Sequence, residues 1–87
     1  MRKFCEGILK KFFYNHLVHT RNDLAWTQAK MAKTLAMDER SYIDLDHGKT
    51  SCSGLTLVLY LAYCCDDPLK FIDDFKTVYE KELSIRQ

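Results

Sequence analysis

The chain has 87 residues, 47% of them hydrophobic and one of them proline, so it is expected to form one ordered domain with no room for a second. A formal net charge of +1 excludes a global field that would draw the whole molecule to nucleic acid or membrane. The charge is uneven, however. Residues 1–35 carry seven Lys/Arg against two acids, and residues 36–87 carry six against ten, so a polyanion would meet one side only.

In chain order, Met1-Arg2-Lys3-Phe4 runs straight into a charged segment, which predicts no secretory leader and a reducing cytoplasmic setting. The apolar set Phe4, Ile8, Phe12 with Phe13, then Leu17 and Val18 has helical spacing and predicts a first helix ending near Asn22-Asp23. Phe12 is assigned to its core side and Phe13 to its surface. His16 and His19 stand on the same helix without companion ligands, so they are expected to be surface histidines. Thr27 opens a second helix as its N-cap, with Ala29, Met31, Ala32 and Leu35 at helical spacing. After a turn at Ala36-Met37, Asp38 caps a third helix carrying Tyr42, Ile43 and Leu45. That helix stops at Gly48, which suits the left-handed conformation.

Residues 49–53 read as a loop, with Ser53 capping a fourth helix. Residues 54–65 are apolar on nearly every side, with Thr56 the polar exception, and are too few to span a membrane. Two placements stay open for this helix. It is either surrounded by the other helices, or its Leu57, Tyr60, Tyr63 and Cys64 form a patch sealed by a second copy of the chain. Asp67 caps a last helix that begins at Pro68, and Leu69, Ile72, Phe75 (or Phe71), then Val78, Tyr79 and Leu83 supply its stripe. The predicted class is all-α: five helices and no strand. Cys5, Cys52, Cys64 and Cys65 show no C-x-x-C spacing and are expected to be free thiols.

Two short helices joined by a tight turn make a helix-turn-helix over about residues 27–47. The run Trp26-Thr27-Gln28-Ala29-Lys30-Met31-Ala32-Lys33-Thr34-Leu35-Ala36-Met37, followed by a second helix ending in Asp46-His47-Gly48-Lys49, resembles lambda-repressor/Cro-type (XRE-like) domains. Arg21 also stands where that family carries a basic residue. The resemblance covers about residues 14–72 and leaves 73–87 as a C-terminal extension. It implies a compact five-helix lambda-repressor-like DNA-binding domain that acts as a cytoplasmic transcriptional regulator, a small repressor. The helix 38–47 would read the major groove of double-stranded DNA. Carried over by position, Gln28, Glu39, Arg40, Ser41 and Asp44 are the expected base contacts. Arg21, Lys30, Lys49 and Thr50 are the expected phosphate contacts. Because the family dimerises through its C-terminal helices, a homodimer is expected.

The reading helix itself is acidic, with Asp38, Glu39, Asp44 and Asp46 set against Arg40. Lys and Arg on phosphates supply the non-specific part of DNA affinity. A second reading therefore stands beside the first: a protein-interaction module on the same fold that does not bind DNA. No enzymatic activity, cofactor or metal is expected, because Ser51, Cys52 and Ser53 near His47 lack a base oriented by a third group.

Overall fold

The computed structural model describes residues 1–86, among which five helices and no strand occur: α1 (Arg2–Leu24), α2 (Gln28–Thr34), α3 (Glu39–Asp46), α4 (Gly54–Tyr63) and α5 (Pro68–Arg86). Short polar side chains set the starts of α2 to α5. Thr27 Oγ1 accepts from the Lys30 amide at 3.1 Å, Asp38 Oδ2 from Ser41 at 3.1 Å, Ser53 Oγ from Thr56 at 3.2 Å and Asp67 Oδ1 from Lys70 at 3.1 Å. Each such cap is worth about 1 kcal/mol.

The ends of α1, α2 and α3 are closed by left-handed residues. α1 runs to Leu24, slightly past its predicted end, because Ala25 at φ 56° terminates it. Ala36 does the same for α2 at φ 54°, and the Met37 amide then donates back to the Ala32 carbonyl at 3.0 Å. α3 ends with Gly48 at φ 73°, and the Lys49 amide reaches the Asp44 carbonyl at 2.9 Å. Glycine is required twice over at this position, since a Cβ there would stand 3.2 Å from Tyr14 Cδ1.

The core gathers one or two residues from each helix: Phe13 and Leu17 of α1, Met31 and Ala32 of α2, Leu35 after it, Tyr42 and Leu45 of α3, Tyr60 of α4 and Phe71 of α5. α2 packs on α3 and on α4, while α1 packs on both α3 and α5. The predicted sides of the adjacent phenylalanines are corrected. Phe13 is buried, 1% exposed, with its ring edge-on to Tyr60 at 5.0 Å, whereas Phe12 is half-buried between α1 and α5, 5.1 Å from Phe71. His16 is not a surface histidine either. It lies half-buried in the same aromatic cluster, 4.8 Å from the Phe71 ring.

α4 follows neither open placement fully. It buries Thr56 and Tyr60, followed by Cys64, and exposes Leu55 (63%), Val58 (62%) and Tyr63 (68%). The expected dimer patch is corrected accordingly: Tyr60 and Cys64 are core, Leu57 packs partly against it, and Tyr63 alone of the four faces outward. All four cysteines are free thiols, and burial pushes the Cys52 and Cys64 thiols up. No helix of the described residues is long and apolar enough to cross a membrane.

Candidate nucleic-acid interface

The α2–α3 pair is joined by residues 35–38, and α3 turns its Tyr42–Leu45–Asp46 face to the core. Eight residues of α helix span about 12 Å, comparable to the width of the major groove. The first turn of α3 holds the exposed Glu39, Arg40 and Ser41. Which charges remain available there depends on the hydrogen bonds beneath.

Asp46 is 5% exposed and accepts from three directions: Arg21 Nε at 3.1 Å, Gln28 Nε2 at 3.1 Å and the Tyr42 hydroxyl at 3.2 Å. One carboxylate thus ties α1, α2 and α3 together, and no buried side-chain N or O among the described residues lacks a partner. Charge-assisted bonds of this kind contribute about 1.5–3 kcal/mol each. Arg21 and Gln28, expected on a phosphate and on a base, each donate to Asp46 and position α3. Burial, together with the nearby Asp46 charge, pushes the Tyr42 hydroxyl pKa far upward.

Asp38 is likewise engaged. It receives both the Ser41 amide and the Ser41 hydroxyl, the latter at 2.7 Å, and these bonds, side-chain one first, lower its pKa. The Ser41 hydroxyl proton therefore points back to the helix cap. Of the four acids on this helix and its cap, Glu39 and Asp44 remain without such an engagement.

Ser41, Asp44 and Thr50 line one depression of about 260 Å³ between α3 and the start of α4. Lys49 and Thr50 are exposed just beyond α3, and Lys30 lies exposed on α2 with its ammonium 4.2 Å from the Trp26 ring centre. A further pair of cations enters from α1. Lys10 Nζ donates to the Lys49 carbonyl at 3.4 Å, and Lys10 and Lys11 share a shelf with Tyr14, His47 and Gly48. Their spacing in the chain carries no hint of this, because the shelf exists only once α1 packs on α3.

A second polar junction lies on the far side of α1. Tyr60 donates to Thr20 Oγ1 at 2.8 Å and hydrogen-bonds His16 Nδ1, so this histidine nitrogen is engaged within the fold. Burial first, then the positive charge of His19, lowers the His16 pKa below the usual histidine value. His19 pairs with Asp23 at 3.4 Å on the surface. Among the described residues no three His, Cys, Asp or Glu side chains converge as a metal site. Compared with protein-family models, with curated proteins and with solved structures, the chain matches none.

Proposed function

We propose that this chain is a sequence-specific DNA-binding transcriptional regulator, a small cytoplasmic repressor, that lays the helix-turn-helix element α3 in the major groove. The observation that supports it is the inward turn of Asp46. Three donors take up that carboxylate within the domain, and Asp38 is held by Ser41, which leaves Arg40, Lys30 and Lys49 around two acids. Lys10 and Lys11 extend this cationic rim past the end of α3. Four lysines on phosphates per protomer would give a salt slope of about −3.6.

A second copy completes the reading. A compact 10.2 kDa monomer should expose about 5,300 Å², whereas this one exposes 6029 Å². The surplus accompanies an elongated shape, 41 × 24 × 20 Å, so the support for a second copy is the exposed apolar face of α4. Leu55, Val58 and Tyr63 on α4 supply the apolar surface for it. The alternative is a protein-interaction module, favoured by the same exposed face of α4 and by the unengaged Glu39.

Fluorescence anisotropy with random and selected duplexes at low salt separates the two. Binding that falls steeply with salt is expected. Replacing Arg40 with Ala should flatten sequence preference by about 1–3 kcal/mol, and replacing Lys49 with Ala should weaken all duplexes alike and lower the salt slope by about one. No binding at micromolar protein and low salt would leave the interaction module.

A further inference from the structure

A groove of about 410 Å³ runs between the N-terminal half of α1 and the C-terminal half of α5. Ile8 and Phe12 line it from α1 and Val78 from α5. Lys3, Gly7 and Lys11 are successive turns of one helical face at its edge. The volume falls within the range of small-molecule sites, which are mostly apolar with a few polar groups that fix orientation.

Gly7 is the informative residue. Glycine inside a helix weakens it relative to alanine, so a glycine there calls for a reason. Conformation does not supply one, because Gly48 alone among the described glycines has a positive φ. Nor does packing, because a Cβ at Gly7 would meet no atom within 4 Å. The missing side chain leaves open space on the exposed face of α1, where Gly7 lines both this groove and the shelf beside Gly48.

The charges flanking it narrow the occupant. Lys3 and Lys11 are exposed, and among the described residues neither stands within ion-pair distance of a carboxylate, Glu82 on the opposite wall included. Two unneutralised ammonium groups above an apolar slot complement a ligand with one anionic head and an apolar body. A second copy crossing at Gly7 would set lysine against lysine. A neutral apolar ligand would leave both cations unused.

The geometry points to the α1–α5 groove as a binding site for a small carboxylate with an apolar body, of the size of a medium-chain fatty acid. Its head lies between Lys3 and Lys11 and its chain runs along Phe12, Ile8 and Val78. The lining of this site stands apart from α3 except at Lys11, which also belongs to the cationic rim proposed for DNA, so Lys11→Gln should also lower the salt slope of duplex binding by about one, whereas Gly7→Leu should not.

Decanoate is the probe, followed by amide chemical shifts of the full chain. Saturable shifts confined to residues 3–15 and 75–82 are expected by about 1 mM, where a ligand of this size reaches measurable occupancy. Gly7→Leu fills the slot while improving the helix. It should raise the thermal midpoint by roughly 4–8 °C and weaken decanoate at least tenfold. Lys3→Gln with Lys11→Gln should remove the preference for decanoate over 1-decanol and leave the midpoint in place. The site is overturned by any of three results: no shifts at about 1 mM, undiminished binding by a folded Gly7→Leu protein, or equal binding of decanol and decanoate by the unmodified chain. Binding to anionic phospholipid vesicles without binding to free decanoate would overturn it in favour of a membrane surface.

Discussion

The chain buries two tyrosine hydroxyls, and their surroundings differ in kind. Tyr42 donates to an ionised carboxylate that also holds a guanidinium and an amide, all within the α1–α2–α3 half. Tyr60 donates to a threonine and meets an imidazole, with no charge required, where α4 crosses α1. The first junction is strong because it is charged, and it is unforgiving for the same reason. The second is weaker, and it responds to protons below the ordinary histidine pKa.

That contrast can be broken most directly at Asp46. Asp46→Ala strands Arg21, Gln28 and Tyr42 and should cost about 3–5 kcal/mol in urea unfolding. A loss under about 1 kcal/mol would mean the carboxylate is dispensable. Tyr60→Phe should cost less, about 1–3 kcal/mol, because His16 and Thr20 still lie 3.3 Å apart and can bond each other. An equal cost at both sites would erase the distinction.

The proton response sharpens it further. The native His16 pKa lies below the unfolded value of 6.5, so the unfolded chain binds the proton more readily. His16 therefore lowers stability as pH falls from above 6.5 through its native pKa, and its effect is constant above and below that window. Asp74 nearby opposes this shift, while His19 and Lys70 reinforce it. Comparing unfolding at about pH 7.5 and about pH 5.5 for the natural chain and His16→Gln isolates the slope. A slope unchanged by the substitution would place the effect elsewhere.

The smallest change expected is a gain. Ala36 holds a left-handed φ that glycine adopts freely, so Ala36→Gly should raise stability by roughly 0.5–1 kcal/mol, read as the urea midpoint. It touches neither tyrosine junction and so serves as the reference against which both are measured.

What was legible in the residues and what was not divides along physical lines. The caps at Thr27, Asp38, Ser53 and Asp67 act over three residues, so they can be read directly from the chain, as can the stop at Gly48. Phe12 and Phe13 are neighbours on a helix contacted by both α3 and α5, so periodicity alone does not choose between them. α4 is apolar around its circumference, so no stripe marks Tyr60 as its inner residue. In the candidate interface, the position of α3 was readable from its caps. The inward turn of Asp46 was not, because two of its donors come from α1 and α2, 25 and 18 residues away.

The contact between Cys5 Sγ and the Tyr79 hydroxyl, 3.3 Å apart across 74 residues, also has a meaning for synthesis. α1 is made before α5, the helix that covers one of its faces. At typical elongation rates its apolar residues wait roughly 4–15 s for that cover.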